Sequence, residues 1–263
     1  MKTLRNAVIA IFAGLILMIS CKKSDIALPK SEANIDSIAS KYYEGYLKMY
    51  PLEATMQGDS RYNDLLSNNI SSEFISKEIE FYTDTQKKLK SIDYDDLSDE
   101  QKTVYDVLDY TLKDKIERYA YHPELLPFSQ FEGLPLDFPL LGSAEGNQPF
   151  KTTKDYDNWL KRIDAFVIWM NTAEKNFREG MKQNVVLPKK LVVKMIPQMH
   201  SEEIITEDFD KNIFYGPIKK MPKNFSAKDK EKYKILYQEA ISSKIIPAYQ
   251  KMGDFLEKEY LPK

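Results

Sequence analysis

Two histidines, a single cysteine, one serine in a Pro-rich stretch and a run of aspartates are the residues of this 263-residue chain that could do chemistry. A zinc-binding helix of the His-Glu-x-x-His type needs two imidazoles one turn apart, so that both nitrogens meet one ion. His122 and His200 each lack a second histidine at that spacing. In His200-Ser201-Glu202-Glu203 one imidazole stands beside two carboxylates, which reads as a solvated helix end. His122, just before Pro123, reads as the cap of a helix C-terminus. Asp93, Asp95, Asp96 and Asp99 have the oxygen chemistry of calcium ligands. A calcium loop also needs a glycine at its sharp turn and a bidentate glutamate beyond it, and neither is in place. Ser129, in Phe128-Ser129-Gln130-Phe131, has no strand-turn-helix elbow to raise it as a nucleophile. No Gly-rich phosphate loop occurs. These residues assign no catalytic position, no metal-binding position and no cofactor.

Cys21 is different. A basic start, Met1-Lys2-Thr3-Leu4-Arg5, leads into an apolar run from Ala7 to Ile19 and then Ser20-Cys21. This is the layout of an export signal. Thirteen residues at 1.5 Å each make about 20 Å of helix, short of the ~30 Å hydrocarbon core, so the run suits a cleaved leader better than an anchor. Met18-Ile19-Ser20-Cys21 resembles the lipobox of bacterial lipoproteins, which implies cleavage before Cys21 and acylation of that residue. Acyl chains contribute about 0.8 kcal/mol per buried methylene, so several on one cysteine form a durable tether. Lys22 and Lys23 follow directly, without the Asp that commonly retains such proteins at the inner membrane, so the outer membrane is the expected location. Residues 1–20 are read as signal, 21–31 as tether and 32–263 as the folded domain.

The charge balance is mild, with 38 basic and 40 acidic side chains and a net −2. Losing Lys2 and Arg5 with the leader makes it two units more negative. Nothing here favours nucleic acid as a partner. Apart from Cys21 the chain has no thiol, which excludes a disulfide framework and a cysteine zinc site. Seventeen Tyr and thirteen Phe against nine Gly suit a helical body with a substantial core.

The periodicity is helical throughout, and the expected fold class is all-α. Ser31 is placed to cap a helix to Met49, with Ile35, Ile38, Ala39, Tyr42, Tyr46 and Met49 on one stripe and Pro51 closing it. Ser71 or Ser72 starts a second helix, carrying Phe74, Ile75, Ile79, Tyr82 and Leu89. Ser98-Asp99-Glu100-Gln101 is a capping-box pattern opening a third, with Val104, Leu108, Leu112, Ile116 and Tyr119 inward. His122 to Lys151 holds five prolines interleaved with Phe128, Phe131, Leu134, Phe138 and Leu140. A loop of that length is uncommon and often functional, and its apolar content predicts packing on the body. Thr152 or Thr153 opens a long helix with Tyr156, Trp159, Ile163, Phe166, Val167, Met170, Ala173 and Phe177 on one face. Pro188 suits the start of a helix to Met199, with Pro197 bending or ending it. The last helix starts at Ser226 and is kinked at Pro247.

Four segments, in order, resemble the N-terminal half of the bacterial DUF885 family. They are Tyr50-Pro51-Leu52-Glu53-Ala54-Thr55-Met56-Gln57-Gly58-Asp59-Ser60-Arg61-Tyr62-Asn63-Asp64; Leu126-Pro127-Phe128-Ser129-Gln130-Phe131-Glu132-Gly133 with Tyr156-Asp157-Asn158-Trp159-Leu160-Lys161-Arg162; Arg178-Glu179-Gly180-Met181 through Leu187-Pro188; and Ile246-Pro247-Ala248-Tyr249 through Tyr260-Leu261-Pro262. The resemblance implies a largely helical, exported lipoprotein similar to zinc metallopeptidases. It also implies a zinc motif in a C-terminal half that has no matching positions here, so no metal or catalytic residue is carried over. The expectation is a membrane-tethered, truncated peptidase-like lobe without catalytic activity of its own. A split zinc peptidase completed by a separate C-terminal lobe, and a solute- or peptide-binding lipoprotein, are the alternatives. A peptide-binding groove beside the Pro-rich loop is the expected site. Truncation would leave apolar area uncovered on the helix from Thr153 and on the terminal helix.

Overall fold

A computed structural model describes residues 30–263, with side chains from residue 35. The signal, Cys21 and nearly all of the tether lie outside the described residues. Lys30 and Ser31, assigned to the tether, already belong to helix α1 (Lys30–Met49), so Ser31 is inside the helix rather than its cap. Pro51 does more than close α1. It sits in the first turn of α2 (Pro51–Met56), where its missing N–H has no helical partner to lose.

Ser71 caps α3 (Ser72–Lys90) by accepting from the Phe74 backbone N–H. Ser98 and Gln101 form the expected capping box of α4 (Asp99–Glu117). Leu108 and Leu112 face inward, but Val104 is exposed and Tyr105 takes its place in the core. With α1 these helices form an arm around Ile35, Tyr82, Leu89, Ile92, Leu97, Tyr105, Leu108 and Leu112.

The Pro-rich stretch is partly helical, which corrects the expectation of a continuous loop. α5 (Leu134–Gly142) starts with Pro135 in its first turn and contains Pro139. Pro139 has no N–H to give the Pro135 carbonyl, which accepts from the Tyr249 hydroxyl at 2.8 Å instead. Burial then holds α5 in place. Phe138 stacks on Phe166 at 4.1 Å and on Trp159 at 4.5 Å between ring centroids.

Those rings belong to α6 (Thr153–Gln183), capped by a box between Thr152 and Asp155 and ended by Asn184 in the left-handed conformation. Its inward face carries Tyr156, Trp159, Ile163, Phe166, Met170, Ala173 and Phe177, as expected. α7 (Lys189–Met199) runs through Pro197 to its last turn. Short helices α8 (Glu202–Ile205) and α9 (Gly216–Lys219) lead to α10 (Ala227–Ala240). A π-helical turn, Ile241–Ile245, then precedes α11 (Ile246–Phe255), and a second, Leu256–Tyr260, follows it. Widening the helix just before Pro247 accommodates the missing donor without breaking the chain's direction.

The main core of the body gathers α5, α6, α7, α10 and α11 around Trp159, Phe166, Phe177, Phe214 and Tyr249. No strand occurs among the described residues, and no described helix is long and apolar enough to cross a membrane. The terminal helix hides its apolar face, with Met252, Phe255, Leu256 and Tyr260 all buried. On α6 the exposed large apolar residue is Ile168. The most exposed apolar side chains instead sit on α4, the turn after it and the Pro-rich limb, at Val107, Tyr110, Tyr121 and Phe131.

Candidate functional groove

Where the arm meets the body, two adjoining cavities open. The larger, about 660 Å³, is lined by the arm residues Tyr46, Tyr50, Ile75, Lys115, Arg118 and Tyr119, and across from them by Pro-rich-limb residues from Pro123 to Asp137. The smaller, about 190 Å³, adds Pro51, Leu52, Leu66, Leu134 and Trp169 as an apolar annex. The two share Tyr50, Glu53, Asn69, Ile70, Pro127 and Gly133.

A buried carboxylate organises the arm side. Glu78 is fully buried on α3 and accepts hydrogen bonds from the hydroxyls of Tyr50, Tyr82 and Tyr119. The Tyr82 bond is 2.6 Å long. Three phenols stand in for the water that the carboxylate lost, which is what a buried charge requires when it has no cation beside it. Burial, followed by the hydrogen bond to Glu78, raises the hydroxyl pKa of each of the three tyrosines. Tyr50 and Tyr119 line the groove, so their rings are held there by a group outside it. Tyr46 extends the aromatic wall, its ring centroid 4.9 Å from that of Tyr50.

The annex is fixed by Arg162 of α6. Its guanidinium is fully buried and donates to the Leu65, Pro51 and Tyr62 carbonyls, to Thr55 Oγ1 at 2.7 Å and to Gln148. Burial pulls its pKa down to about 10, still charged at neutral pH. One side chain thus pins α2 and the 57–69 loop to the body. Trp169 Nε1 donates to Asn69 Oδ1 at 2.9 Å and Asn176 donates to the Ile70 carbonyl at 2.8 Å, completing the attachment.

The limb is fastened as firmly. Phe128 is buried against Phe177, with centroids 5.2 Å apart. Gly133 has φ +128°, and a Cβ there would lie 2.4 Å from Phe128 Cβ, so the close turn requires glycine. Tyr249 donates from the core to the Pro135 carbonyl at 2.8 Å. Asp137, on the groove wall, has its carboxyl raised by partial desolvation.

The sequence of this chain matches the family described as "Bacterial protein of unknown function (DUF885)" over residues 51–263. The chain belongs to the DUF885 family. No curated protein matches it. All the groove residues of this DUF885 chain except Tyr46 and Tyr50 fall within the matched span.

The residues weighed for chemistry are dispersed. Cys21 lies outside the described residues. His122 is the expected cap, left-handed at φ 51°, with its Nδ1 3.1 Å from Glu124. His200 ends α7, but it does not pair with Glu202 or Glu203. It packs over Gly253, its Nε2 3.8 Å from Asp254 Oδ1, and His200, Asp254 and Glu257 could each offer a ligand atom within 4.8 Å of the others. Lys258 already holds the other Asp254 oxygen at 2.9 Å. Ser129 accepts from the Phe131 N–H in a local turn. Asp93 likewise accepts from the Asp95 N–H. Among the described residues neither histidine lines the groove. Sequence reasoning missed Glu78 and Arg162. A charged residue set beside Ile79 and one turn from Tyr82, or beside Ile163 on an apolar helix face, is the signal that could have found them.

Proposed function

We propose that this DUF885 protein is an exported lipoprotein, anchored through Cys21 in the outer membrane, whose helical lobe binds peptide segments without cleaving them. The observation that carries the reading is the junction groove. It combines aromatic walls, an apolar annex and side-chain charges in a cavity of ligand size. Its walls are fixed in advance by Glu78 and Arg162, which lowers the ordering cost of binding. The leader and the Met18-Ile19-Ser20-Cys21 motif support the anchor.

A titration of the full-length protein in detergent with a blocked tripeptide tests the binding role. Trp169 lines the annex, and Trp159 is the other tryptophan of the chain. Saturable change in tryptophan emission, lost in Trp169→Phe and kept in Trp159→Phe, is the expected result. A flat titration across peptides of varied side chains, with no heat of binding, would remove the reading.

A further inference from the structure

We infer that the junction groove selects a cationic occupant, a peptide segment presenting a lysine or arginine side chain; this rests on the peptide-binding role proposed above. Four carboxylates line the larger cavity, Glu53, Glu124, Glu132 and Asp137, against two cations, Lys115 and Arg118. Glu53, Glu132 and Asp137 make no ion pair among the described residues, whereas Glu124 faces His122. Both cations come from the C-terminal end of α4 and the turn after it. The carboxylates come from α2 and the Pro-rich limb.

The aromatic wall points the same way. Tyr50 and Tyr119 commit their hydroxyls to Glu78, so those donors are turned away from any anion in the groove. What remains for an occupant is ring surface and carboxylate oxygen, beside the Lys115 and Arg118 side chains, which make no ion pair among the described residues and are outnumbered by the carboxylates. Ring faces attract ammonium and guanidinium groups through the quadrupole, by about 0.5–1 kcal/mol at exposed sites and about 2 kcal/mol when desolvated. Charge-assisted bonds to carboxylates add to this and fix direction. The protein uses this pairing within its own groove wall, where the Arg118 guanidinium lies 5.3 Å from the Tyr119 ring centroid.

Isothermal titration of the full-length protein in detergent tests the inference with two probes of equal length. One is N-acetyl-trilysine amide, and the other is the same peptide with its three ε-amines acetylated. The charged peptide should bind about ten-fold tighter, with the advantage shrinking as salt rises. The variant Glu53→Gln/Asp137→Asn should lose that advantage. Asp93→Asn/Asp96→Asn, which changes the protein's charge equally but away from the groove, should keep it. Equal or tighter binding of the neutral peptide overturns the charge selection and leaves peptide binding standing. An advantage that survives in Glu53→Gln/Asp137→Asn, or is lost in Asp93→Asn/Asp96→Asn, also overturns it. Silence from both probes overturns the inference together with the binding role.

Discussion

The Tyr82 hydroxyl donates to the Glu78 carboxylate at 2.6 Å, one helical turn away on α3, with both side chains fully buried. This pair is the fixed centre onto which Tyr50 and Tyr119 close from two other segments. Glu78 therefore joins the α1–α2 junction, α3 and the turn after α4 at one point. Replacing it strands the buried Tyr82 hydroxyl and the half-buried hydroxyls of Tyr50 and Tyr119, and each unsatisfied buried group costs about 1–3 kcal/mol. Glu78→Ala should lose about 3 kcal/mol or more, and Glu78→Gln, which keeps an acceptor, about 1–2 kcal/mol. Urea midpoints read the difference. Equal stability of Glu78→Ala and the parent would show that the three bonds contribute nothing net.

The same cluster sets the alkaline limit. Its tyrosines have folded-state pKa values raised above the ordinary 10.0. The stability they contribute is therefore complete below pH 10 and lost as pH rises above it, because the unfolded chain ionises its phenols first. Stability should fall steeply above about pH 10. The share of the phenolate absorbance that belongs to these three tyrosines should lag in the native protein and appear together with unfolding. Full titration of the phenols near pH 10 in a still-folded protein would contradict the buried cluster.

Arg162 should behave as a clasp rather than as a surface charge. Arg162→Lys supplies three donors where the guanidinium supplies five in a planar fork, so it should not restore the native contacts. A loss of about 2–4 kcal/mol is expected for Arg162→Met and a similar loss for Arg162→Lys. Limited proteolysis should cut first within residues 57–69. A first cut elsewhere in both variants would sever the link between this side chain and the annex.

Two glycines offer a contrast. A Cβ on Gly216 would lie 2.1 Å from the Ser143 carbonyl oxygen, a backbone atom with little room to move. Gly58 has φ +82° and open space around it. Gly216→Ala should cost about 2–3 kcal/mol through overpacking, and Gly58→Ala about 1 kcal/mol through backbone strain alone. Thermal midpoints in the reverse order would contradict the packing at Ser143.

Local signals in the chain were readable because their partners lie within a turn. The Ser98–Gln101 and Thr152–Asp155 boxes and the His122 cap need no knowledge of the rest of the fold. Helix α5 was masked by its prolines, since local propensity argues against a helix that burial of Phe138 then stabilises. Val104 and Tyr105 exchanged places because either continues a three-and-four spacing, and only the packing of α1 and α3 decides between them. Glu78 and Arg162 were the least legible. Their partners Tyr50 and Tyr119, and Thr55 and Leu65, lie tens of residues away in sequence, and periodicity alone assigns a charged side chain to the solvent. The groove exists because of those distant contacts, so its location beside the Pro-rich stretch could be anticipated but its arm-side wall could not.

The anchor has its own test. Cys21→Ala should move the protein from the membrane fraction to the soluble fraction. In the parent, a labelled fatty acid should be retained on the protein. Membrane retention of Cys21→Ala would favour an uncleaved apolar anchor over a lipid.

The most direct measurement of the central claim is hydrogen exchange on the full-length protein with and without saturating trilysine amide. Binding in the junction groove predicts slower exchange in residues 66–70 and 123–137 and at the C-terminal end of α4, with the α1–α3 cleft around Lys41 and Asp84 unchanged. Protection confined to that cleft, or to the surface around His200 and Asp254, would contradict the assignment of the groove as the binding site.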